Sequence, residues 1–272
     1  MSEVTLILRE KSNIPIEADA IRPDLFADKS YQEIEILPIY YGNKERRLGE
    51  IFEVRGEKAD RIRVIGDLSH IKKIGYGMKG GGIVIEGNVG MHLGATMEGG
   101  EIVVEGNASD WLGAEMRGGL IRVKGDAGNL IGAAYRGSKR GMNRGTIIVE
   151  GNAGNEVGEL MRRGLIVILG DACDFVGVHM IAGSIIVFGN IGERPGAGMK
   201  RGTIVTFQEP CLLPTFRYNC TYSPIFLRVY LRALGRYGLE IKEDYITGSY
   251  RRYNGDISEL GKGEILIYER KT

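Results

Sequence analysis

Seven times between residues 66 and 190 the chain sets a glycine directly before an asparagine or aspartate, at nearly constant intervals. The pairs are Gly66-Asp67, Gly87-Asn88, Gly106-Asn107, Gly125-Asp126, Gly151-Asn152, Gly170-Asp171 and Gly189-Asn190, with successive spacings of 21, 19, 19, 26, 19 and 19. The spacing of 26 is one period of 19 with seven extra residues, placed near 137–144 (GSKRGMNR). Seven residues after the anchor a glycine returns at Gly94, Gly113, Gly132, Gly158, Gly177 and Gly196, with Gly75 as the equivalent after a two-residue insertion. Three residues further comes Met78, Met97, Met116, Tyr135, Met161, Met180 or Met199, so that six of the nine methionines share one phase. Another glycine follows at Gly81, Gly100, Gly119, Gly164, Gly183 and Gly202, a part that Gly145 plays in the fourth unit. Self-similarity of this kind predicts a stack of like units.

Each unit then carries a short strand, as in GEIVVEG, GLIRVKG, GTIIVEG and GLIVILG. The pairs Ile83/Ile85, Ile102/Val104, Ile121/Val123, Ile147/Val149, Ile166/Ile168 and Ile185/Val187 alternate at period two and so point to one side. A 19-residue unit with one strand cannot bury that side alone, whereas a stack can. Stacked strands are parallel, and parallel crossovers are right-handed in nearly all proteins. The fold class expected is therefore all-β: a right-handed parallel β-helix of about seven coils, roughly 30–35 Å long at ~4.8 Å per coil. The methionines and Ile/Val pairs form its interior. The opposite strand face (Val84, Val103, Arg122, Ile148, Val167, Ile186) is often apolar too, so something is expected to cover part of it.

Glycine numbers 42, about twice the usual share of roughly 7%. The Ile and Val around these glycines argue for corners rather than disorder. Net charge is +1, which makes no global electrostatic case for nucleic acid. No apolar run approaches the ~20 residues that cross a bilayer, so no membrane partner is expected. The opening MSEVTLILREK lacks a basic start and a cleavage site and reads as a first strand. Cys173, Cys211 and Cys220 form no CxxC pair and suit a reducing, cytoplasmic setting.

Three segments are expected: an N-terminal strand and cap over 1–47, the glycine-rich β-helix over 48–208, and a small α+β cap over 209–272. Within the first stretch of the helix, 48–66 holds two short strands. In the last segment Pro210, Pro214 and Pro224 punctuate a loop, and 224–237 (PIFLRVYLRALGRY) reads as a helix. Phe226, Val229, Tyr230, Ala233 and Leu234 suit one face of it, and the helix is expected to pack on the last coils. ITGSYRRYNGDI and GEILIYER read as a terminal strand pair packed on the last coils.

Chemistry is sparse. Gly75-Tyr-Gly77-Met-Lys-Gly80 matches G-x-G-x-x-G, but the segment after it reads as another strand, where a dinucleotide site needs a helix. His70, His92 and His179 fall in different phases, which does not build a metal site, and no Fe–S ligand spacing exists. No catalytic, cofactor-binding or metal-binding residue is therefore assigned. One ladder stands out: the position after the methionine reads Lys79, Glu98, Arg117, Arg136, Arg162, Ile181 and Lys200, and the insertion adds Lys139, Arg140 and Arg144. These basic residues are either a solvated edge or a contact stripe for an acidic partner or anionic ligand.

The glycine-paced coil resembles the C-terminal β-helix domain of the glutamate synthase large subunit. With its flanks, PIEADAIRPDLF and GDISELGKGEILIYE, the whole chain resembles the C-type subunit of formylmethanofuran dehydrogenase. That resemblance implies a cytoplasmic complex that converts CO2 and methanofuran to N-formylmethanofuran, the first step of methanogenesis from CO2. It implies tungsto- or molybdopterin, Fe–S clusters and a binuclear metal site in pterin-binding, Fe–S and amidohydrolase-like partner subunits, with no cofactor in this chain. It transfers no catalytic residue and makes this chain a non-catalytic scaffold. The C-type subunit of a bacterial formyltransferase/hydrolase complex is similar as well. An autonomous carbohydrate-active solenoid is the alternative outside this family.

Overall fold

Parallel pairing in strict register runs through the computed structural model, which describes residues 3–270. The alternating strands pair like with like: Ile83 opposes Ile102, Ile102 opposes Ile121, and the column continues through Ile147, Ile166, Ile185 and Ile204 to Ile265. In the other direction it continues through Ile62 to Val4. A parallel neighbour column joins Ile85, Val104, Val123, Val149, Ile168 and Val187. The fold is mostly β with few helices, and its main sheet has 13 strands. A second row of parallel bridges links Leu68, Val89, Ala108, Ala127, Ala153, Ala172 and Ile191, so the repeats pair along a second edge as well. A separate four-stranded sheet is built from Lys44–Arg47, Pro38–Tyr41, Ile16–Glu17 and Ile71–Lys72.

The paired methionine and glycine phases have one physical cause. A Cβ on Gly119 would lie 2.6 Å from Cε of Met97, and one on Gly145 would lie 2.8 Å from Cε of Met116. The methionine tip of one repeat thus fills the space that the next repeat's missing side chain leaves. Met78, Met97, Met116, Met161, Met180 and Met199 are all fully buried. The fourth repeat corrects the expectation that Tyr135 holds this slot. Met142 is buried there instead, with its Cε 2.8 Å from where a Gly164 Cβ would sit. The insertion is looped out ahead of Met142, whose N–H bonds to Gly132 O at 2.8 Å, as Met116 N–H bonds to Gly113 O at 3.1 Å. An apolar methionine enters the core more readily than a tyrosine whose hydroxyl would find no partner there.

The anchor residue has its own role. The side-chain oxygen of Asn88 accepts the N–H of Asn107, Asn107 accepts that of Asp126, and the chain continues through Asn152 and Asp171 to Asn190 at 2.6–2.9 Å. A second such ladder runs Asp110, Asn129, Asn155, Asp174, Glu193. The backbone donors of these largely exposed corners are thereby paired from one repeat to the next. The G-x-G-x-x-G segment leads into the strand Gly82–Glu86, as its sequence context predicts.

The ends join the same sheet. Val4–Leu8 lies between Arg61–Ile65, parallel, and Phe52–Arg55, antiparallel. Lys262–Tyr268 pairs in parallel with Arg201–Thr206 and antiparallel with Tyr250–Gly255. Arg217–Tyr222, expected as loop, is an edge strand on Tyr250–Gly255. Its residues, RYNCTY, show no alternation of apolar and polar positions and lie in a short window between prolines, which hid the strand. The outer face of the later strands is covered as expected: Ile148, Val167, Ile186 and Val205 pack with Leu227, Leu231 and Leu234 of the helix Ile225–Leu234. The face that packs there is not the apolar face that the sequence spacing marks. Only Leu234 of the expected set is buried, while Phe226, Val229 and Tyr230 face outward. Nearer the other end, Val84 and Val103 line an open hollow with Glu3, Asp60 and Glu101, and Arg122 is tied to Glu150 at 2.6 Å.

Met116→Ala removes a buried interior side chain and is expected to cost about 2–5 kcal/mol, read as a lower urea midpoint. Gly94→Val is expected to destabilise comparably, because φ is +60° and a Cβ would meet Ile121 Cδ1 at 2.5 Å.

Candidate functional site

Two outer surfaces of the stack carry the side chains that could meet a partner or ligand. The first is the ladder that follows the interior methionine. Its backbone is fixed by hydrogen bonds to the methionine carbonyl one repeat earlier: Arg117 N–H to Met97 O at 2.7 Å, Arg162 N–H to Met142 O and Lys200 N–H to Met180 O at 2.8 Å. In the fourth repeat Asn143 makes this bond to Met116 O at 2.7 Å. The ladder therefore reads Lys79, Glu98, Arg117, Asn143, Arg162, Ile181, Lys200, and Arg136 belongs to the looped-out insertion, a correction that follows from the Met142 shift.

The stripe is also less uniformly positive than its sequence suggests. Arg117 reaches Glu98 at 3.4 Å, and the Lys79 N–H bonds to Asp24 at 3.2 Å. A hollow lined by Glu115, Arg117, Ser138, Arg140, Gly141 and Asn143 brings Arg117 and Arg140 together with one carboxylate. Lys139 and Arg144 are exposed near it in sequence, and Arg162 and Lys200 stand further along the stack. Lys79 and Lys200 lie six repeats apart, roughly 29 Å at ~4.8 Å per step. The stripe thus holds one two-arginine hollow rather than one continuous basic site.

The second surface was not read from the sequence. Two residues before the shared glycine, Lys73, His92, Trp111, Leu130, Glu156, Phe175 and Arg194 all adopt left-handed backbone, with φ from +57° to +65°. Non-glycine residues pay for that conformation, and here the stack enforces it: the His92 N–H bonds to Asp110 O and the Trp111 N–H to Asn129 O in the next repeat. Three rings gather on this edge. Trp111 stacks on Tyr135 with centroids 5.0 Å apart, and the Tyr135 hydroxyl lies 2.9 Å from His92 Nδ1. The looped insertion delivers Tyr135 to this place. Burial, aided by the Lys72 and Lys73 cations, holds His92 below its ordinary pKa of 6.5. Burial likewise raises the Tyr135 phenol above its ordinary value, so the hydroxyl keeps its proton and can donate it to a neutral imidazole. The signal available in the sequence was the shared phase of His92 and Trp111.

Among the described residues no group of three or more His, Cys, Asp and Glu is placed to hold a metal ion. Cys173, Cys211 and Cys220 are free. No helix among the described residues is long and apolar enough to cross a membrane.

The ring cluster gives a pH signature. Its folded-state pKa being lowered, His92 contributes stability that is complete above pH 6.5 and is lost as pH falls through the folded-state value, because the unfolded chain takes up the proton first. The melting temperature of the wild type relative to His92→Phe is expected to fall as pH drops below 6.5. The emission of Trp111, the single tryptophan, is expected to titrate with a midpoint below that value.

Comparison with known proteins places this geometry in context. The family described as GXGXG motif matches residues 82–214. The C-type subunit of tungsten-containing formylmethanofuran dehydrogenase 2 of Methanothermobacter marburgensis is 45% identical over 100 residues, which are 35% of this chain and 37% of that protein. The C-type subunit of molybdenum-containing formylmethanofuran dehydrogenase 1 of Methanothermobacter thermautotrophicus is 50% identical over 91 residues, 33% of this chain and 23% of that protein. The matched stretch thus spans about a third or less of these relatives' length. A chain in the crystal structure of the formyltransferase/hydrolase complex of Methylorubrum extorquens, in complex with methylofuran, aligns with a TM-score of 0.91 and 34% identity over 98% of this chain and 100% of that one.

Proposed function

The chain belongs to the family of the C-type subunit of formylmethanofuran dehydrogenase, and from that premise we propose that it is the non-catalytic scaffold of a hetero-oligomeric formylmethanofuran dehydrogenase. In this reading the complex interconverts CO2 plus methanofuran and N-formylmethanofuran in the cytoplasm. The stack is a right-handed parallel β-helix of about seven coils over 48–208, closed by the segments 1–47 and 209–272. Pterin-bound tungsten or molybdenum, Fe–S clusters and a binuclear metal site belong to pterin-binding, Fe–S and amidohydrolase-like partners.

The observation that carries this reading is the full-length likeness, both flanks included, to a chain taken from a multi-subunit complex. The build of the chain supports it. A stack whose interior is filled by interlocked Met and Gly has rigidity to offer and polar chemistry only on its surface. Lys79, Arg117, Lys139, Arg140, Arg144, Arg162 and Lys200, with Arg136 on the insertion, are contact candidates for acidic partner surfaces. The same likeness favours a second reading within the family, a subunit of a formyltransferase/hydrolase complex, because that is the assembly the aligned chain comes from.

Isolated from its native source, the chain is expected to copurify with catalytic subunits and to catalyse neither CO2 reduction nor formyl transfer once separated from them. The metal content and reaction of the copurified assembly distinguish the two family readings. Turnover of either kind by the separated chain contradicts the scaffold role.

A further inference from the structure

The helix Ile225–Leu234 has two apolar faces, and the chain uses one of them. Leu227, Leu231 and Leu234 are buried against the outer sheet face. On the opposite side Ile225 is 75% exposed, Val229 64%, Phe226 38% and Tyr230 37%. These four recur at intervals of one and four residues and so share one stripe along the helix. Single exposed apolar residues are ordinary, but a contiguous stripe with an aromatic pair is the anatomy of an interface. Phe226 and Tyr230 already meet edge to face, with centroids 6.1 Å apart.

Charge identifies the occupant. Between residues 225 and 239 the chain has Arg228, Arg232 and Arg236 and no carboxylate. At intervals of four, these arginines form a basic row beside the apolar stripe. Arg232 approaches Glu243 at 3.8 Å, while the Nε of Arg228 is buried without an acceptor among the described residues. Two copies of the chain packed through this helix would set the two arginine rows against each other. A protein surface with an apolar groove rimmed by aspartate and glutamate would satisfy both the stripe and the row at once.

We propose that the outer stripe of this helix, Ile225, Phe226, Val229 and Tyr230 with the Arg228, Arg232 and Arg236 row, docks a partner subunit through an apolar groove rimmed by carboxylates. The helix would thus be clamped between its own stack and the partner, fixing the stack's position in the assembly. This inference rests on the scaffold reading and adds the surface by which one partner is held.

The test uses the assembled complex. The chain is co-expressed with the subunits that copurify with it, as wild type, as Ile225→Glu/Val229→Glu, as Arg228→Glu/Arg232→Glu, and as the charge control Lys44→Glu/Arg47→Glu, two exposed residues of the separate four-stranded sheet. Circular dichroism and melting of each purified chain check folding, which the high exposure of Ile225 and Val229 protects. The Ile225/Val229 variant is expected to bind the remaining subunits at least about 30-fold more weakly, as loss of an interface centre does. The Arg228/Arg232 variant is expected to associate more slowly and with less dependence on salt, and the charge control on the separate sheet to assemble as wild type. A photocrosslinking residue at position 229 is expected to capture a partner peptide that contains apolar residues and at least two carboxylates.

Folded helix variants that assemble with wild-type affinity would overturn the docking surface and leave the scaffold reading intact. Failure of the wild type itself to assemble would remove both. Binding of the wild-type chain to phosphatidylserine vesicles, or its dimerisation, abolished by the same helix variant would overturn the acidic protein partner in favour of a membrane or a second copy.

Discussion

Each interior methionine depends on a glycine in the next repeat, and the rest of the structure follows from that dependence. A side chain on Gly119 would collide with Met97 Cε, so the pair works only when repeats lie in one register. Burying a methionine or isoleucine is worth roughly 1.5–3 kcal/mol, and here the same pairing recurs from Met78 to Met199. A slip of one residue along a strand would turn Ile102, Ile121 and Ile147 out of the core together. Registry is thus specified by many small equal contributions, in the manner of repeat proteins whose stability is a sum of neighbour interfaces.

The same interlock sets the outer surfaces. With the register fixed, the asparagine and aspartate ladder aligns along one corner, the left-handed residues along another, and the post-methionine residues along a third. Residues far apart in sequence, such as His92 and Tyr135, become neighbours because the repeats carry them to one edge. A surface of this kind holds its groups at fixed spacings, which is what an assembly platform requires. The helix Ile225–Leu234 extends that logic beyond the stack. It seals the later strands with its leucines and leaves a second apolar face and a basic row outside.

Much of this was legible because the repeat is strict. The in-phase Ile/Val pairs, the methionine phase and the terminal strand pair could be read from spacing alone. Three features could not. The insertion offered two candidates for one slot, and counting from Gly132 chose Tyr135, whereas hydrogen bonding and burial choose Met142. That shift also displaced Arg136 from the ladder. The helix has apolar residues on two faces, so amphipathic spacing alone could not say which one faces the sheet; the answer lies in the fit of Leu227 and Leu231 against Ile148, Val167 and Ile186. The strand Arg217–Tyr222 exists because Tyr250–Gly255 is there to pair with it, a tertiary cause that a short window between prolines does not announce.

Rigidity along the stack is the claim on which scaffolding rests, and a distance measured across it tests that claim most directly. Spin labels at Lys79→Cys and Lys200→Cys, in a chain with Cys173, Cys211 and Cys220 replaced by serine, report the separation across six repeats. A rigid stack predicts one narrow distribution near 29 Å, about six steps of ~4.8 Å, identical in the free chain and in the assembled complex. A broad distribution in the free chain, or one that moves by several ångströms on assembly, would contradict it.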